Sequence, residues 1–141
     1  MNYLPWAVLA LVAYTFVAPL MSFATASEPA IPSNVAALVS NSMLVVATVG
    51  VIAYTRQDVS QYLVHPKSPY VYVAGLCLAV GILAYYRALS LGPASVVVPV
   101  FGMFLVTSSL VSVAFLDEAF TLRKAAGILL AVVAVYLVTV D

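Results

Sequence analysis

The chain has 141 residues, of which 65% are hydrophobic and 7% charged, and five basic and five acidic side chains leave no formal net charge. So small a polar share cannot clothe a water-soluble globule, whose charged fraction is ordinarily about 25%. The lack of net positive charge excludes a nucleic-acid-binding surface. The single cysteine, Cys77, excludes an internal disulfide and a thiolate metal centre.

Residues 1–27, 29–55 and 88–116 contain no Asp, Glu, Lys or Arg, and roughly 20 apolar residues let a helix cross hydrocarbon. Continuous apolar runs, rather than alternation every second residue, select helices over a barrel. The pattern predicts an all-α integral membrane protein with helices near residues 4–24, 33–54, 69–89, 94–116 and 121–140, forming one five-helix domain over residues 1–141.

In the first helix Tyr14, Ala18 and Ser22 share a face, with Tyr14 near mid-span. Ala24-Thr25-Ala26 looks like a signal-peptidase site, but no Lys or Arg precedes the apolar run. The run also exceeds the usual length of about 7–15 residues, so it reads as a retained span. Glu28-Pro29 and Ile31-Pro32 then stop the helix.

Asn34, Ala37, Asn41 and Thr48 lie on one face of the second helix, and the mid-span amide of Asn41 needs a partner on another helix or on a polar solute. Arg56, Asp58, His65, Pro66, Lys67 and Pro69 mark the longest polar loop; His65 has no ligand-spaced neighbour and reads as a surface histidine.

Tyr85-Tyr86-Arg87 ends the third helix, where Arg87 either anchors at the interface or meets an anionic solute. Gly92 is placed for a left-handed cap and Pro93 to open the next helix. On that fourth helix Ser95, Pro99, Gly102, Ser109 and Ser112 share a face, suited to tight helix packing or to the wall of a solute path. Pro99 cannot donate to the Ser95 carbonyl, which predicts a bend or a locally opened turn.

The fifth helix is short: its uncharged run from Ala125 to Val140 rises about 24 Å, and snorkelling by Arg123 and Lys124 extends it. Its small residues Gly127, Ala131 and Ala134 suit internal packing or a dimer interface. Tyr3, Trp6, Tyr54, Tyr70, Tyr72, Tyr85, Tyr86, Phe115 and Tyr136 fall near helix ends, as interfacial aromatic belts require.

Five crossings put Arg56, Lys67, Arg123 and Lys124 on one side and Arg87 on the other. The positive-inside rule then predicts a multi-pass protein of the cell membrane with a cytoplasmic N-terminus and Asp141 external.

The run Ala88-Leu89-Ser90-Leu91-Gly92-Pro93-Ala94-Ser95, then Phe115-Leu116-Asp117-Glu118 and Gly127-Ile128-Leu129-Leu130, resembles the EamA-type domain of the drug/metabolite transporter superfamily. These motifs and their surroundings cover about half of the chain. Asp117 departs from the small residue usual before Glu118. The resemblance implies a five-helix unit that most full-length relatives carry twice, in opposite orientations.

All five acids, Glu28, Asp58, Asp117, Glu118 and Asp141, fall in turns or at the terminus, which leaves no paired nucleophile and base for an enzyme and no intramembrane carboxylate for a proton relay. No cofactor is implied. The resulting expectation is a half-size secondary transporter for a small polar or amphipathic solute, working as a homodimer or with a related five-helix chain. Its path would draw on Tyr14, Asn41, Arg87, Ser95, Pro99, Gly102 and Ser109. A noncatalytic membrane subunit or scaffold, assisting another transporter or lipid-linked substrate movement, is the alternative.

Overall fold

The computed structural model describes residues 3–115 and 120–140. All regular structure among them is helical, and the chain divides into two compact units, Met1–Leu91 and Gly92–Asp141. The first unit contains α1 (Leu4–Thr15), α2 (Val17–Ala26), α3 (Ser33–Thr55), α4 (Ser60–Leu63) and α5 (Ser68–Leu91); the second contains α6 (Ala94–Phe115) and α7 (Leu122–Thr139). With α1 and α2 taken as one span, Leu4–Ala26, five helical segments are long and apolar enough to cross a membrane.

The predicted first helix is interrupted. The break falls at Phe16, whose N–H reaches Ala13 O at 3.4 Å in a tightened turn, and Leu20 N–H resumes the α pattern on Phe16 O at 3.2 Å. The cause is Pro19, which has no N–H for the Thr15 carbonyl and whose ring crowds that turn. By contrast α6 runs unbroken through Pro99, so the opened turn expected there is not seen.

Helix ends follow local chemistry. Pro32 sits outside α3, and its carbonyl accepts from Val35 and Ala36 N–H at 2.9 and 3.0 Å. At the other end Arg56 adopts φ 51° and ψ 38°, its N–H bonded to Ala53 O, while Gln57 N–H reaches Ile52 O at 3.2 Å. This is a Schellman ending with arginine in the left-handed position that usually takes glycine.

The left-handed cap expected of Gly92 is absent, since no glycine among the described residues has positive φ. Pro93 follows Gly92 and biases it toward extended backbone. The Pro93 carbonyl then receives Val96 and Val97 N–H at 3.0 and 3.1 Å, which places proline just before α6 rather than inside it. Thr121 caps α7, its Oγ1 accepting from Lys124 N–H at 3.3 Å.

In the first unit α2 and α3 both pack on α5. The buried side chains Ala18 and Thr25 of α2, Ser33, Ala36 and Ala37 of α3, and Tyr85, Tyr86 and Leu89 of α5 gather toward one end, where α2 stops, α3 starts and α5 finishes. Small residues on two helices let backbones approach closely and leave room for the bulky trio on the third.

Tyr85 and Tyr86, whose ring centroids lie 6.0 Å apart, are therefore core residues and not members of the expected aromatic belt. Tyr3, Trp6, Tyr54, Tyr70, Tyr72, Phe115 and Tyr136 are exposed. In the second unit α6 and α7 pair as a hairpin with no buried residue on either helix.

Candidate functional site

A helix in hydrocarbon must first satisfy its own polar groups, and the described spans do so locally. The Asn41 Nδ2 donates to Ala37 O at 2.8 Å on its own helix, which takes one of its two N–H groups. Thr48 donates to Leu44 O at 2.8 Å, Ser109 to Leu105 O at 2.9 Å and Thr107 to Phe104 O at 3.1 Å. No buried side-chain nitrogen or oxygen among the described residues lacks a partner.

This back-bonding engages hydroxyl donors but leaves lone pairs, and an amide keeps its carbonyl oxygen. The second N–H of the Asn41 amide stays available as a donor beside these acceptors.

A concavity of the second unit lies between its two helices. Val106 and Ser109 of α6 face Gly127 and Ile128 of α7 across a half-open cleft of ≈ 440 Å³, with Phe120 and Lys124 lining one end. Its surface is mostly apolar with a polar minority, the usual make-up of a small-molecule site. Thr121 fixes the Phe120–Lys124 end through its cap.

Ser109 and Gly127, one polar position on α6 and one small position on α7, both line this cleft. Phe120 and Lys124 were not singled out as site residues, although the Thr121 cap between them was a readable signal. At both Gly127 and Gly102 an added Cβ would meet nothing within 4 Å. Among the described residues of the second unit, the α6–α7 pairing therefore leaves open space at both glycines. Ala131 is half-buried and Ala134 exposed.

The remaining residues spread over both units. Tyr14 is 73% exposed on α1, outside the packed end of the first unit, although Ala18 of the same face is buried. Arg87 is exposed on α5 beside buried Tyr85, Tyr86 and Leu89, and its carbonyl accepts from Ser90 Oγ at 2.8 Å. Ser95 is exposed and Pro99 half-buried on α6. Asp117, Glu118 and Asp141 lie outside the described residues.

Outside the spans, Asp58 accepts from both the N–H and the hydroxyl of Ser60, at 3.0 and 2.7 Å, and these bonds hold its carboxyl below the usual range, the side-chain bond contributing most. No group of three or more His, Cys, Asp or Glu suited to a metal occurs among the described residues.

The model of the EamA-like transporter family matches residues 1–140. The chain belongs to the EamA-like transporter family. Membership makes the five apolar segments membrane spans and the chain an all-α, multi-pass membrane protein of the transporter type. It also extends the likeness from the C-terminal motifs to the first two helices, where individual residues had offered none. No curated protein and no solved structure matches the chain.

Proposed function

We propose that this EamA unit is a half-size secondary transporter that moves a small polar or amphipathic solute by alternating access, working as an oligomer. The family match over residues 1–140 carries the reading. Solute character is inferred from the acceptors that back-bonded Asn41, Thr107 and Ser109 retain, and from the mixed lining of the α6–α7 cleft. Tyr14, Asn41 and Arg87 supply polar surface on the first unit, and Ser95 and Ser109 on the second, where Pro99 and Gly102 complete the proposed path.

Uniport, exchange or coupling through a partner fits the chain better than a proton relay, because the sequence puts the five acids in turns or at the terminus and His65 in the polar loop. The charge bias of Arg56, Lys67, Arg123 and Lys124 against Arg87 favours one orientation in the cell membrane, with the N-terminus cytoplasmic. A single orientation in turn favours a parallel homodimer, or pairing with a related five-helix chain, over opposed copies. Gly127, Ala131 and Ala134 are the surface assigned to that contact.

The test is counterflow into liposomes preloaded with unlabelled solute, using radiolabelled neutral amino acids, polyols and nucleosides as probes. Saturable uptake of at least one, lowered by Asn41→Leu or Ser109→Leu, is the expected result. Uptake at the protein-free level for every probe, by a chain that remains folded and oligomeric, would refute carriage and favour a noncatalytic subunit.

A further inference from the structure

The connection between α3 and α5 is pinned at both ends. Arg56 closes α3 in the left-handed cap, while buried Ser68 sends its Oγ to Tyr62 O at 2.6 Å and the Tyr72 hydroxyl reaches Leu63 O at 2.6 Å. Asp58 is the only acid between residues 56 and 67, and Ser60 engages it. His65 Nδ1 accepts the Lys67 N–H at 3.2 Å.

Held this way, α4 and its flanks keep four apolar side chains outside: Val59, Tyr62 at 61% exposure, Leu63 and Val64 at 89%. Bulk water penalises such a cluster. The connection stays close to the membrane surface, because only residues 56–67 join the spans α3 and α5 and the bonds of Tyr62 and Leu63 to Ser68 and Tyr72 fold it back on the start of α5. Arg56 and Lys67 bracket the cluster with positive charge, the complement of anionic headgroups.

We infer that residues 56–67 form a membrane-surface foot. Val59, Tyr62, Leu63 and Val64 enter the boundary between headgroups and acyl chains, and Arg56 and Lys67 contact the phosphates of anionic lipids. The apolar part reaches the roughly 5–10 Å depth of interfacial segments. The foot rests on the membrane placement of α3 and α5 and is independent of what the protein carries.

Because Trp6 is the only tryptophan, Trp6→Phe combined with Tyr62→Trp gives a single reporter, and Trp6→Phe with Val64→Trp a second. Each is placed in nanodiscs of phosphatidylcholine and phosphatidylglycerol carrying bromines at shallow or deep acyl positions. Expected are emission to the blue of an aqueous indole, stronger quenching by shallow than by deep bromines, and weak quenching by acrylamide.

Arg56→Gln with Lys67→Gln should raise acrylamide access in anionic nanodiscs and leave it unchanged in pure phosphatidylcholine. Free acrylamide access without bromine quenching would overturn the foot by placing the segment in water. Shielding from both quenchers would overturn it by placing protein over the segment, and indifference to the glutamine pair would overturn the headgroup contact. A mid-span reporter, Trp6→Phe with Val45→Trp, separates the two levels: deep-bromine quenching there alongside a water-exposed Tyr62→Trp removes the foot and leaves the spans standing.

Discussion

Leu89 is fully buried, at 0% exposure, in the packed end of the first unit, and its replacement by alanine separates packing in lipid from packing in water. A buried Leu→Ala change in a soluble core costs about 2.7–5.0 kcal/mol. Of that, roughly 2.4 kcal/mol is the transfer of three carbons from water. In a bilayer the unfolded reference keeps the side chain in hydrocarbon, so the transfer part vanishes. The remaining cavity part is about 0.3–2.6 kcal/mol.

Leu76 lies on the same helix but faces outward at 69% exposure, so Leu76→Ala should cost close to nothing. Reversible denaturation in lipid–detergent micelles, followed by circular dichroism, measures both. Equal losses at the two leucines, or a loss above about 4 kcal/mol at Leu89, would refute lipid as the solvent of this helix.

Pro19→Ala should close the break at Phe16, giving stabilisation below the roughly 3 kcal/mol cost of an interior proline and slower amide exchange over residues 16–20; unchanged exchange would clear Pro19 of causing it. Arg56→Gly removes a left-handed non-glycine residue and should stabilise α3's ending by about 1–2 kcal/mol, read by the same denaturation. Gly127→Ala adds a methyl where nothing stands within 4 Å, so the isolated chain should gain about 0.5–1 kcal/mol, and a loss would contradict that open space. Ser60→Ala should return the Asp58 carboxyl upward toward the usual range in a carbon-detected pH titration. Since folding depresses this group, its contribution is complete above the ordinary carboxylate range and fades as pH falls through the folded value.

The spans were legible because charge is confined to a few positions. Glu28, Arg56 and Lys67 lie outside the helices and Arg87 stands four residues before the end of α5, and Pro32, Pro93 and Thr121 mark helix starts chemically. The break in the first helix was also written in the chain, as Pro19 inside an apolar run, but uninterrupted hydropathy masks a change in hydrogen bonding. Gly92 misled because a following proline outweighs the conformational freedom of glycine.

Side-chain roles were less legible. Tyr85 and Tyr86 fit an aromatic belt by position, but the packing of α2 and α3 on α5, with small buried residues Ala18, Ala36 and Ala37, leaves them buried. Asn41 reads as an amide in need of a partner on another helix or on a solute, and the carbonyl four residues back on its own helix takes one of its two N–H groups. Ser109 and Gly127 were readable as polar and small positions on single helices, but their meeting across a cleft depends on the pairing of α6 with α7.

The account stands on five membrane crossings, and impermeant-maleimide labelling tests them most directly. After Cys77→Ser, single cysteines replace Ala30, Gln57, Gly92 and Phe120 in the connections, and Val45 and Leu130 within spans, in vesicles of known sidedness. Ala30 and Gly92 should label from one face, Gln57 and Phe120 from the other, and Val45 and Leu130 from neither. Labelling of the mid-span positions, or of all four connections from one face, would contradict a chain that crosses lipid five times.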